Sequence, residues 1–176
     1  MSPQADFPSL TFRLRLLAKE MPVIGMSSAG DLCSTETGAP LYLPAGSPSV
    51  VVQVFSPGLI EAVSIHSIAL PNDDIHRGVP SLPWDERVTR LFQSLASIDS
   101  PFVLTVRDCF ALIFIDGLAH CEGEFMEAVY ACNRFTVPFA GGLAVTHLDH
   151  NQAFVSDGQG VLALFSRTSL GRSRQS

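Results

Sequence analysis

The sequence predicts an α/β fold: a mixed sheet with one parallel strand–helix–strand unit plus hairpins, and helices packed on the sheet. Three observations carry this. Phe110–Ile115 is a short apolar run that stops at an Asp116-Gly117 turn. Glu122–Asn133 follows as an amphipathic segment with Phe125, Ala128, Val129 and Cys132 on one face. A second apolar run, Val137–Ala140, stops at the Gly141-Gly142 pair. Strand, helix and strand in that order make a right-handed crossover, so the two strands should be parallel neighbours.

The remaining elements follow from period and punctuation. In Pro8–Glu20, Leu10, Phe12, Leu14 and Leu16 alternate as in a strand, whereas Leu10, Leu14 and Leu17 share a helix face. Pro22 favours the helix, which it would break before a short strand at Val23-Ile24. Met21–Asp31 then runs out into small residues. Ser47–Phe55 is rich in valine and closes at Ser56-Pro57-Gly58, and Ile60–Leu70 returns as a second strand, which reads as a hairpin. Pro71–Pro83 reads as a polar, proline-bounded loop holding Asp73, Asp74, His76 and Arg77. Trp84–Ala96 is a helix with Val88, Leu91, Phe92 and Leu95 in one stripe and Asp85 and Glu86 at its positive end. Val103–Val106 is a short strand or a lead-in to the next one. Gly141–Gln152 reads as a loop. Ala153–Val155 and Val161–Phe165 read as a closing hairpin around Ser156-Asp157-Gly158.

A chain of 176 residues fits one domain, here residues 1–166, followed by a basic, disordered tail at 167–176 with Arg167, Arg172 and Arg174. Hydrophobic residues make up 47% and charged residues 16%, which is enough for a buried core and excludes an unfolded acidic chain. The net charge of −6 argues against wholesale nucleic-acid binding. Cys33, Cys109, Cys121 and Cys132 form no C-x-x-C pair, so a zinc knuckle is not expected. The start of the chain has no secretory pattern and no apolar run is long enough to span a bilayer. The expected location is the reducing cytoplasm.

Two segments stand out as candidate sites because ligands of open α/β sheets bind at strand ends. Met26–Asp31 offers small residues whose backbone N–H groups can converge on an anion, with hydroxyls at Ser27 and Ser28, Gly30 for close approach, and Asp31. It reads equally as a tight turn capped by Asp31. Gly141–His150 offers the paired glycines Gly141 and Gly142, then Asp149. If the preceding strands are neighbours, both loops flank one crevice. Ser27–Gly30 would then hold a carboxylate while His147 or Asp149 meets an amine. No catalytic residue is expected. A nucleophile elbow needs Gly-x-Ser-x-Gly, and neither Ser27 nor Ser28 has both glycines. Asp73, Asp74 and His76 lack a fourth metal ligand at suitable spacing, so no metal is expected.

Val23–Asp31, Ile115–Leu118, Val137–Ala144 and Phe154 with Asp157-Gly158 follow one another in an order and spacing that resemble the FIST N-terminal sensory domains of bacterial signalling proteins and some F-box proteins. The similarity spans Pro8 to Phe165. Against that pattern the chain is short at both ends, and a second, C-terminal domain is lacking. The resemblance implies a non-enzymatic small-ligand sensor in intracellular signal transduction, reading an amino-acid-like metabolite and passing the state to a partner such as a histidine kinase. In a subset of the family it implies haem and nitric oxide sensing, for which His147, His150 and His120 are the candidate iron ligands. The competing reading is a non-catalytic protein-interaction module with a vestigial pocket.

Overall fold

The structure is a computed structural model that describes residues 6–32, 42–44, 50–145, 153–156 and 160–167. In chain order its elements are α1 (Phe7–Ala18), β1 (Gly30–Leu32), β2 (Tyr42–Pro44), β3 (Ile60–Ile68), α2 (Asp73–His76), α3 (Trp84–Ala96), β4 (Cys109–Asp116), α4 (Glu122–Cys132), β5 (Phe139–Ala144) and β6 (Gly160–Arg167).

The run Val161–Phe165, apolar at every position, lies inside the sheet. Val161–Phe165 is buried throughout, and β6 sits between β3 and β4 in a four-stranded sheet ordered β3-β6-β4-β5. A run that is apolar on both faces has no solvent side to offer and is stable only between two layers. β3 and β4 are both antiparallel to β6, and β5 is parallel to β4 in the register Ala111↔Phe139 to Asp116↔Ala144. The three strands β3, β4 and β5 therefore run in the same direction. The predicted parallel pair joined by a helix is present.

β4 buries every second residue, Cys109, Ala111, Ile113 and Ile115. These join Leu162 and Leu164 beneath Leu91 and Leu95 of α3 and Phe125, Ala128 and Val129 of α4 to form the main core. The other face is covered more thinly. There Ile60, Ala163 and Phe165 pack with Phe55, Phe110 and Ile24. Phe110 stacks on Phe165 with ring centroids 4.7 Å apart.

Several elements differ from the sequence reading, each for a physical reason. The hairpin of Ser47–Phe55 with Ile60–Leu70 does not form. Residues 50–56 are irregular, and β3 pairs instead with β6. Val52 and Val54 stay exposed, whereas β6 offers a fully apolar partner. Residues 47–49 lie outside the described set. Val23-Ile24 forms no ladder; the next contact is a single bridge from Met26 to Val155. That bridge also replaces the closing hairpin: Val155 pairs with Met26, while β6 pairs with β3 and β4. Pro71–Pro83 is not wholly a loop, because α2 lies within it. β5 starts later than the predicted Val137 and runs through Gly141 and Gly142 to Ala144, so these glycines belong to the strand and not to the loop beyond. A Cβ at Gly141 would fall on the Ile113 carbonyl, so glycine here serves close strand approach. On α3, Phe92 is 38% exposed and Arg87 is buried in its stead. α4 ends one residue early, at Asn133, whose left-handed φ of 49° is a C-cap geometry. β6 extends to Arg167, the first residue of the predicted tail; residues 168–176 lie outside the described set.

Candidate functional site

Because β3, β4 and β5 run in one direction, their carboxyl ends share one edge of the sheet. In open α/β sheets this edge is where ligands bind. Four chain segments meet there in a row. Asn72, after β3, donates from Nδ2 to the Ala119 carbonyl in the β4–α4 turn at 3.3 Å. Gly117, at the start of that turn, donates its N–H to the Ala144 carbonyl at the end of β5 at 2.9 Å. A Cβ on Gly117 would lie 2.6 Å from the Ala144 oxygen, so the contact requires glycine. Val145 then donates to the Ser27 carbonyl at 3.3 Å.

Ser27 is the knot of the row. It is 2% exposed, its N–H donates to the Phe154 carbonyl at 2.9 Å, and its Oγ accepts from the Phe154 N–H at 3.1 Å. Alongside, Gly25 donates to Ser156 Oγ at 2.7 Å and Ser156 N–H donates to the Gly25 carbonyl at 2.8 Å. Small residues in Gly25–Ser28 thus let two loops lie side by side with their buried polar groups paired.

Beneath the row lies a buried polar group that the sequence reading missed. Arg87 on α3 reaches back to α2, donating from Nη2 to both carboxylate oxygens of Asp74 at 2.8 and 2.7 Å and from Nη1 to the Pro71 carbonyl. Asp74 also accepts from the N–H groups of Ser81 at 2.6 Å and Leu82 at 2.7 Å. The Arg87 hydrogen bond, then those two backbone donors, hold the Asp74 carboxyl well below the usual carboxylate range. The sign follows directly. A depressed folded value means that the contribution of this pair is complete above about pH 4, the ordinary aspartate range, and is lost as pH falls toward the folded value. Asp74→Asn should therefore flatten the acid limb of a plot of urea midpoint against pH below about pH 4. A variant curve parallel to that of the wild type would mean the pair does not carry that limb.

Cys121 and Glu124 flank Arg87 and are both buried. Burial, and then the Glu124 charge, push the Cys121 thiol up to about 11, which favours the protonated form. Asn72 is fully buried; its Nδ2 lies 2.9 Å from His76 Nε2, and its Oδ1 has no hydrogen-bond partner among the described residues.

The sequence-predicted residues are placed as follows. Ser27 and Ser28 lie beside Val145 at the carboxyl end of β5. Gly30 and Asp31 belong to β1, which pairs with β2 in a separate two-stranded sheet. Gly141 and Gly142 lie within β5 opposite Ile113 and Phe114. His147, Asp149 and His150 lie outside the described residues. His120 stands exposed in the β4–α4 turn with φ of 50°, a strained value for a residue with a side chain and one that recurs at functional sites. Among the described residues, the concavities of about 380 and 560 Å³ open beside the end of α1, and no histidine lines them. His66 is bonded to Ser64 Oγ at 2.7 Å and His76 to Asn72.

A parallel β–α–β unit, same-direction strand ends and a small-residue loop knotted at Ser27 lie along one chain, and the family model described as FIST N domain matches residues 1–170. The chain belongs to the FIST N domain family. This is a family of sensory domains associated with signalling, and it is not typically catalytic. No curated protein and no solved structure matches the chain. Among the described residues of this FIST N domain no helix is long and apolar enough to cross a membrane.

Proposed function

We propose that this FIST N domain is a small-ligand sensor that takes an amino-acid-like metabolite at the carboxyl ends of β3, β4 and β5. The observation that carries the reading is the row Asn72–Ala119, Gly117–Ala144 and Val145–Ser27, which ties three strand ends and the Ser27 loop together at one edge. A ligand ammonium would satisfy the orphaned Asn72 Oδ1. His120 stands exposed in the β4–α4 turn beside Ala119, where it can meet the carboxylate of such a ligand. Sensing would be a population shift: the ligand favours one arrangement of the linked loops, and a signalling partner such as a histidine kinase reads it.

Calorimetric titration of the domain with the amino acids, and separately with haem, tests this. The expected result is one amino-acid class binding with Kd between about 1 μM and 1 mM. His120→Gly keeps the left-handed backbone and should weaken binding by about tenfold if its side chain contributes about 1.4 kcal/mol. Haem binding with a shifted Soret band, lost on His147→Ala or His150→Ala, would instead favour the haem version. If nothing binds, the interaction-module reading gains. It already has one observation in its favour, since the N–H, carbonyl and Oγ of Ser27 are all held by protein partners.

A further inference from the structure

Helix α1 and its C-cap residue concentrate positive charge in an acidic chain. Arg13, Arg15 and Lys19 are three of the 11 lysines and arginines in a protein of net charge −6, and no acid lies between Phe7 and Lys19. The helix buries Phe7 and Thr11, and Phe7 stacks on Phe154 with centroids 5.2 Å apart, which anchors it. On the side turned away, Phe12 and Leu16 are each 63% exposed; Met21 just beyond the helix is 62% exposed, and Leu17, past Arg13 around the helix, is 78% exposed. At 100° per residue, Phe12 and Leu16 form a ridge opposite the buried side. Arg15 and Lys19 flank that ridge on one side and Arg13 flanks it on the other. All three cations lie at exposed positions.

An apolar ridge bordered by cations on both sides is complementary to one environment in particular: a lipid interface with anionic headgroups above an apolar interior. Three large apolar side chains held out in water are costly unless something receives them. The charge complement sets this face apart, because Phe7–Lys19 holds three cations and no acid in a chain of net charge −6. At the end of the helix, Arg15, Lys19, Met21, Pro22 and Val23, with Ile65 and Ser67 of β3, line a concavity of about 380 Å³. It pairs positive heads with apolar walls, as a headgroup and its first acyl carbons require.

We propose that α1 docks this domain on an anionic membrane surface, with Phe12, Leu16 and Met21 entering the interface and Arg13, Arg15 and Lys19 at the level of the lipid headgroups. The domain lies on the bilayer and does not span it. This goes beyond ligand sensing and is independent of it.

The test is cosedimentation of the full chain with vesicles of two parts phosphatidylcholine to one part phosphatidylserine, against vesicles of phosphatidylcholine alone. The expected result is binding to the mixed vesicles, weakened by salt, and little binding to the neutral ones. Arg13→Glu and Lys19→Glu should each weaken binding at least about fivefold, and Leu16→Ser by about tenfold. These positions are exposed, so unchanged circular dichroism and urea midpoint should accompany the loss. Absence of binding to the mixed vesicles overturns the proposal. Equal binding to both vesicle types, or binding unchanged in the three variants, overturns it as well. So does sedimentation velocity showing a dimer that Leu16→Ser dissociates while the wild type ignores vesicles, because the ridge would then be covered by a second copy.

Discussion

Gly141→Val should detach β5 from β4 and cost about 3 kcal/mol or more, enough to leave a marginal domain largely unfolded. A Cβ at this position falls on the Ile113 carbonyl and lies 2.7 Å from the Ile113 carbonyl carbon and 2.9 Å from its nitrogen. Those atoms are backbone, so no rotamer change relieves the clash. β4 cannot retreat, because its other edge is paired with β6 from Cys109 to Ile115. Gly142→Val is the internal control. A Cβ there meets nothing within 4 Å, so its cost should stay within about 0.5 kcal/mol. Urea midpoints of the two variants decide the matter. Equal midpoints would mean that β5 does not approach β4 as closely as described.

The second large effect is expected at α4. Phe125 is fully buried and belongs to the core cluster with Leu91, Ile113 and Leu164. Phe125→Ala should cost about 3–5 kcal/mol, since removal of the ring leaves a cavity that the rigid sheet beneath cannot fill. The consequence reaches the candidate site. α4 starts directly after the His120-Cys121 turn, so loosening the helix should loosen that turn too. Amide exchange at Ala119 and Cys121 should rise together with exchange along α4. Protection that persists at the turn while α4 is lost would separate the two.

What was legible in the sequence, and what was not, divides by the range of the interactions. Trp84–Ala96 was readable to the residue because Leu91 and Leu95 keep a helical period and the acids Asp85 and Glu86 mark the first turn. β4 was readable because its run ends at a strong turn dipeptide, Asp116-Gly117. The β5 boundary was misplaced because glycine was read as punctuation, whereas Gly141 is in the strand to let two backbones meet. The choice of partner for β3 was not readable at all. The valines at 50–54 have strand composition, but pairing is settled by the distant β6, which is apolar on both faces. The β1–β2 pair joins segments too short to show any period.

The candidate site divides in the same way. The Gly25–Ser28 segment was visible as a run of small residues after an apolar pair, and it lies beside the carboxyl end of β5. The polar group around Arg87 was invisible, since an arginine among helix residues reads as a surface position. The one available signal was Asn72-Asp73-Asp74 between Pro71 and α3, acidic residues that need a cation. Only the fold brings Asp74 within 2.7 Å of Arg87.

The most direct measurement is a set of ¹⁵N–¹H spectra of the domain recorded with and without the amino acid that binds in calorimetry. If the ligand sits at the carboxyl ends of the parallel strands, the amides that shift should cluster at Asn72, Gly117–Cys121, Val145 and Ser27–Ala29, and the Asn72 side-chain amide should shift with them. Shifts confined to Lys19–Val23 and Ile65–Ser67, around the concavity beside α1, would contradict that placement.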